Sequence, residues 1–191
     1  MKLKEKNKII GDVVKILESG GTILYPTDTV WGIGCDATNS KAIKKIYSIK
    51  KREITKPLII LMDNTNLLKN YIDFIPKKVY EIIKTTKEPT SIIYDNPKNL
   101  PEILIHKNSI AIRIVELKHL TELIKIFGKP ITSTSANISG EELPNCLSQI
   151  DNKIKQEVDY IIPENFIEGN MKNKTSQLLK LNNNNIKIIR N

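Results

Sequence analysis

The chain is poor in the residues from which metal and redox sites are built, with 2 cysteines and 2 histidines in 191 residues. Cys35 and Cys146 belong to no C-x-x-C pair, which excludes a disulfide framework. Four good ligands are needed for structural zinc, so no metal site is expected. Aromatic residues make up 5% of the sequence, and no RNP-like aromatic motif is present to stack bases. No apolar run approaches the roughly 20 residues that span a bilayer. The opening MKLKEKNKIIGDVV lacks an apolar signal core and a small-residue cleavage site. A cytoplasmic chain without membrane association is therefore expected. There is no G-x-x-x-x-G-K-[ST], which excludes P-loop chemistry.

What is present suits one substantial domain over residues 1–191, with 40% hydrophobic and 27% charged residues. The formal net charge of +9 points to phosphate-rich partners. Charge alone does not choose between a nucleotide and RNA.

Apolar residues at Ile9, Ile10, Val13, Val14 and Leu17 predict a helix over 7–18, ended by Gly20 and Gly21. Thr22–Tyr25 reads as a buried strand that Pro26 stops. Ser40 is placed to cap a second helix with Ala42, Ile43, Ile46 and Tyr47 facing inward. A strand is expected at Pro57–Leu61, then helices at Thr65–Tyr71 and Pro76–Thr85. Strands follow at Ser91–Tyr94 and Ile110–Val115, a helix at Leu120–Phe127 stopped by Gly128, and a short strand at Pro130–Thr132. Tyr160–Ile162 is a further strand, 163–175 a polar loop, and Ser176–Leu181 with Ile186–Arg190 a hairpin turning at four asparagines. This alternation predicts an α/β (α+β) fold: one twisted sheet of mixed parallel and antiparallel strands with flanking helices.

Three stretches carry polar groups that suit chemistry. Thr27-Asp28-Thr29 at a strand exit, with Trp31 and a glycine-rich passage, forms either the floor of a small-molecule site or a capped turn. Gly32, Gly34 and Ala37 match a dinucleotide-binding spacing, but the strand ends at Pro26 and the helix begins near Ser40, which excludes a Rossmann site. Lys50 and Arg52 close a predicted helix, either complementing its dipole or clamping phosphate. Ser133–Gly140 offers four hydroxyls and an Asn after a strand, as a nest-like anion site or a self-capping turn.

Together these pieces resemble the YrdC/TsaC family of threonylcarbamoyl-AMP synthases. GGTILYPTDTVWGIGCDA is similar to the family's GG-x-(apolar)-PTET-V-(aromatic)-GLG signature. Lys50, Arg52, Ser135 and Asn137 match its KxR and SxN elements, and Ser133–Gly140 matches its STSAN-x-SG loop. Ser109–Arg113 matches its [ST]-(apolar)-A-V-R strand. The matches run in family order from about Gly20 to Gly140.

The resemblance implies that ATP, L-threonine and bicarbonate are converted to threonylcarbamoyl-AMP and diphosphate for tRNA modification. No covalent nucleophile is needed; the route needs positioning and charge neutralisation on a triphosphate. Lys50 and Arg52 would act catalytically on the ATP phosphates, with Ser135, Asn137, Ser109 and Arg190 also at the nucleotide. Thr29, Arg113, Ser133 and Ser176 would contact threonine, with Arg113 gripping its carboxylate. Mg²⁺ would accompany ATP without a protein cage of its own. Implied partners are the downstream tRNA threonylcarbamoyl-transferase proteins, and direct tRNA contact is compatible with the charge.

Several positions depart from the pattern. Asp28 replaces Glu, Trp31 replaces Tyr or Phe, and Glu53 replaces Pro. Thr86–Ser91 replaces WPGP-x-T, and Leu61 stands where longer relatives have His. Glu164–Thr175 replaces a glycine-rich loop, and the short single-domain form is expected. The competing readings are a non-catalytic RNA- or tRNA-binding module with a basic groove and a carbamoyl-transfer domain that uses another carbamoyl source.

Overall fold

The computed structural model describes residues 1–167, 171–182 and 185–190. The first helix, α1 (Leu3–Glu18), buries Ile9, Ile10, Val13 and Leu17 along one stripe. It begins four residues before the apolar periodicity does, because Lys6 is drawn inward and its Nζ lies 2.6 Å from His119 Nε2. Gly20 ends it with φ +80°, and the Gly21 N–H donates to Ile16 O, closing the left-handed cap expected there.

The strands β1 (Thr22–Tyr25) and β2 (Gly32–Cys35) follow, then α2 (Ser40–Ile49) and β3 (Ile59–Met62). After α3 (Thr65–Lys69) and α4 (Lys77–Thr85) come β4 (Thr90–Asp95), β5 (Ser109–Ile114), α5 (Lys118–Phe127) and β6 (Ile131–Ser135). The chain closes with α6 (Asn152–Glu157), β7 (Tyr160–Ile161), β8 (Gln177–Asn182) and β9 (Asn185–Arg190). One sheet of nine strands joins them in the order β7-β1-β2-β6-β3-β5-β4-β8-β9. The pairs β1/β7, β3/β5 and β4/β8 are parallel and the other five antiparallel, so the sheet is mixed, as expected.

Some boundaries differ from expectation for identifiable reasons. Asn39, not Ser40, caps α2, because its Oδ1 accepts from the Lys41 and Ala42 N–H groups. Pro76 stands before the first helical residue of α4 rather than in it. The strand at 130–132 extends to Ser135 because its polar residues find partners in β2 and β3. The six-residue helix α6 carries too little apolar periodicity to be read, and only Ile154 is buried. The hairpin's tip, Asn183 and Asn184, lies outside the described residues.

The glycine-rich passage after Trp31 is a fully buried strand, not flexible loop backbone. A Cβ on Gly34 would stand 2.1 Å from Thr132 O, and one on Gly32 would stand 3.1 Å from the Tyr25 ring. These glycines let β2 lie close against the Tyr25 ring, and at Gly34 against the β6 backbone. Trp31 is completely buried in the core; among the described residues its indole N–H has no partner.

Successive strand residues point to opposite faces, and the two faces have different covers. Leu24, Ile33, Ile60, Met62, Ile92 and Ile112 pack with α2, α3, α4 and α6. Ile23, Tyr25, Leu61 and Ile131 pack with α1 and α5. The second cover is incomplete over β4, β5 and the far ends of β3 and β6. Among the described residues, no helix is long and apolar enough to cross a membrane.

Gly34→Ala should cost about 3 kcal/mol, since the obstacle is backbone that cannot rotate away. At roughly 2–4 °C per kcal/mol for a chain of this size, its thermal midpoint should fall by about 6–12 °C in a calorimetric scan.

Candidate active site

The uncovered part of the second face is the floor of a cavity of about 420 Å³. Pairing register places its residues in rows. Ser133 of β6 opposes Ile59 of β3, which opposes Ala111 of β5. Leu61 opposes Arg113, and Ser135 opposes Gly32. Ser91 of β4 and Leu178 of β8, another register pair, complete the floor. Four cationic side chains, Arg52, Lys56, Arg113 and Arg190, line this cavity with nine hydroxyl residues and no carboxylate.

The rim opposite the floor is the turn after β1. Thr27 organises it: its Oγ1 accepts from the Thr29 N–H at 3.0 Å and the Val30 N–H at 3.2 Å. It also lies 2.7 Å from Thr29 Oγ1. The stretch is thus both a capped turn and a cavity wall. Residues 172–173 lie over it, with the Lys172 N–H donating to Asp28 O and the Asn173 N–H to Thr29 O. Lys172 and Lys174 hold that segment to Glu88 at 3.1 and 3.3 Å, and Thr175 and Ser176 reach the cavity.

Arg52 follows the end of α2. Its Nε donates to Lys56 O and its Nη2 to Pro57 O, both at 3.1 Å. Two backbone carbonyls therefore fix the guanidinium at the cavity wall, and burial lowers its pKa. Lys50 is placed differently. It is 1% exposed and lies off the cavity wall. Its Nζ donates to Ser135 O, to Asn137 O at 2.6 Å and to Asn137 Oδ1 at 3.4 Å. It ties the α2 terminus to the loop after β6, a tie reinforced by the Ser139 N–H donating to Lys50 O. Burial, with Arg52 as the lesser cause, pulls the Lys50 pKa down to about 7.

The remaining predicted residues divide in the same way. Ser133 and Ser135 line the cavity; Ser133 contacts the phenol of Tyr25, whose pKa burial raises. Ser135 Oγ donates to Asn137 Oδ1 at 2.5 Å, and Asn137 Nδ2 to Glu141 O at 2.6 Å, so Asn137 supports the loop from outside the lining. Ser176 and Arg190 stand on the far wall: Arg190 Nη2 donates to Ser176 O at 2.8 Å, and Ser91 Oγ lies 2.8 Å from Ser176 Oγ. Ser109 shares the floor's side of β5 but lies at the strand's other end, donating to His106 O. It is not brought to the cavity.

Arg113 is 5% exposed, and its Nη2 donates to both oxygens of Asp28, at 2.6 Å to Oδ1. Its Nε is buried and has no partner among the described residues. Asp28 and Arg113 also border a second, smaller cavity of about 100 Å³ beside α4.

Sequence reasoning did not single out Lys56 or Ser91 as site residues. Lys56 carried one signal, a cation four residues beyond Arg52 and just before Pro57. Asp28 was read in the Thr27–Thr29 turn and as a departure from a motif, but not as the partner of Arg113, which lies 85 residues away.

Residues 15–191 match the Sua5–YciO–YrdC family model, which carries the description telomere recombination. This chain belongs to that family. A relative from Methanocaldococcus jannaschii is 35% identical over 161 residues, 83% of this chain and 75% of its own. The threonylcarbamoyl-AMP synthase of Photobacterium profundum is 36% identical over 156 residues, 78% of this chain and 83% of its own. The fold of this family member superposes on P. abyssi Sua5 complexed with L-threonine at TM-score 0.86 and 23% identity. That match covers 97% of this chain and 54% of the Sua5 chain, so this chain spans about half the length of Sua5. E. coli YciO matches at TM-score 0.81 and 24% identity, over 96% of this chain and 88% of YciO. At these identities the structures bear on the fold alone.

Replacing Lys50 by Met should remove the pH dependence that its burial imposes. The folded pKa of about 7 lies below the roughly 10.4 of an unfolded lysine. Between those values the unfolded chain binds more protons, so stability rises with pH. The urea midpoint of the wild type should therefore gain on that of Lys50→Met between pH 7 and 10, and parallel curves would contradict the assignment.

Proposed function

We propose that this chain is an L-threonylcarbamoyladenylate synthase. The amine of threonine joins the carbon of bicarbonate as water leaves, giving a carbamate. A carbamate oxygen then attacks the α-phosphorus of ATP, and the bond from that phosphorus to diphosphate breaks. The observation that carries this reading is the composition of the larger cavity: four cations and nine hydroxyls with no carboxylate, in a family whose relatives bear the synthase name. Such a lining attracts a polyanion, and its preset donors stabilise charge that develops during phosphoryl transfer.

The nucleotide is assigned to the side of Arg52, Lys56 and Ser135, with Arg190 at the opposite wall. Threonine is assigned to Thr29, Ser133 and Arg113, with Ser176 near its side chain. Lys50 and Asn137 act by holding the loop that carries Ser135, and Ser109 has no contact role in this arrangement. Mg²⁺ enters as part of the nucleotide substrate. In this reading the ion is held mainly by the phosphates and water; among the described residues no group of three or more His, Cys, Asp or Glu is placed to hold a metal. The product passes to threonylcarbamoyl-transferase proteins that modify tRNA, in the cytoplasm. A non-catalytic RNA module is the weaker reading, since the cations converge on a concave cavity and not along a groove.

Incubation with ATP, Mg²⁺, bicarbonate and threonine should release diphosphate and yield threonylcarbamoyl-AMP by mass spectrometry, with neither appearing when threonine or bicarbonate is omitted. RNA binding of steep salt dependence without turnover would instead favour the module. One cation about 4 Å from a phosphate charge contributes on the order of 4 kcal/mol at an effective dielectric near 20. Arg52→Ala should accordingly lose about a thousandfold in turnover while its circular dichroism and thermal midpoint stay close to wild type. Wild-type turnover by that variant would remove Arg52 from the mechanism.

A further inference from the structure

Asp28 is held against Arg113, a cation of the larger cavity, through that side chain's single nitrogen Nη2. The pair spans 85 residues of sequence and joins the β1–β2 turn to the C-terminal part of β5. A guanidinium presents its five N–H groups in one rigid fork. Once Nη2 is engaged by Asp28, the directions of Nη1 and Nε are settled as well. Nε is buried and has no acceptor among the described residues. A buried donor left unpaired is costly, so the pair holds the fork in a position that an incoming acceptor completes.

The turn carrying Asp28 is itself held firmly. Thr27 Oγ1 fixes the backbone of the two residues that follow Asp28, and the Lys172 N–H donates to Asp28 O at 3.0 Å. Asp28 does not line the larger cavity, whereas Arg113 does. The carboxylate therefore acts from behind, leaving the cavity side of the guanidinium to a ligand.

We propose that Asp28 is a positioning residue for the amino-acid substrate: it orients Arg113 so that the free part of the guanidinium receives the threonine carboxylate. This rests on the synthase reading. The nucleotide side of the cavity, at Arg52 and Lys56, is anchored by other contacts and does not depend on the pair.

The test is steady-state kinetics of Asp28→Asn and Asp28→Glu with threonine and ATP varied separately. Asp28→Asn should raise the threonine KM at least tenfold and leave the ATP KM within twofold. Asp28→Glu, which keeps the charge, should restore most of the threonine affinity. A residue that only supports the fold would lower the thermal midpoint and leave the threonine KM unchanged, or move both KM values together; either result overturns the proposal. If Asp28→Asn does not fold, Arg113→Lys supplies the same measurement, because an ammonium keeps the charge and loses the fork. The same selective rise in threonine KM is expected, and a wild-type threonine KM overturns the proposal. Calorimetric titration of wild type with threonine separates the two readings. Threonine binding without threonylcarbamoyl-AMP formation defeats the synthase reading, and the threonine Kd of each variant then tests the pair. No threonine binding defeats both.

Discussion

Alternation along a β-strand lets one sheet serve two purposes, and this molecule depends on that alternation. Ile60 and Met62 enter the core beneath α2 to α4, whereas Leu61 between them faces the other side. The same holds for Ile110 and Ile112 against Ala111 and Arg113. On the first face the helical cover is continuous. On the second, α1 and α5 pack over β1, β6 and the near part of β3, and the cover ends there. The bare strand ends are rigid because their other face is buried, and polar side chains on them are held without lining a loop. One or two side chains from each of five strands meet in this way on one floor.

Electrostatics divide the site between two buried cations with opposite tasks. Lys50 spends its donors on backbone carbonyls and an amide oxygen of the loop after β6, and burial weakens its hold on a proton. Arg113 meets a carboxylate on one side and leaves donors on the other. Both are nearly inaccessible, yet one stabilises the wall and the other forms part of it. A point charge on a flexible stem suits the first task, and a planar fork suits the second. The cations that stay accessible are Arg52, Lys56 and, on the far wall, Arg190.

Much of the frame was legible because local rules and tertiary packing agree. The apolar stripe of α2, the stop at Pro26, and the left-handed glycines at 20 and 128 each express a preference that packing reinforces. The glycines at 32 and 34 give no local strand signal because glycine usually weakens a strand; the backbone of β6, 2.1 Å from a would-be Cβ on Gly34, is a long-range cause. Trp31 beside a polar turn suggested a site wall for the same reason, since no local pattern reveals which way a side chain at a strand entry will face.

The sequence by itself determined most of the elements, the mixed sheet and the three polar stretches, because periodicity, capping and proline act within a few residues. It also determined that cations and hydroxyls are available to the site, because those stretches supply them, whereas the absence of Asp28 from the larger cavity's lining is not a matter of composition. Only the tertiary structure decided which of them face the cavity. Strand register brought Ser91, Arg113 and Ser133 to one floor, turned Lys50 inward and left Ser109 at the far end of β5. The pairing of Asp28 with Arg113 and the closure of residues 172–175 over the β1–β2 turn were likewise decided there. These are contacts between segments distant in sequence, fixed by how the sheet is ordered and covered.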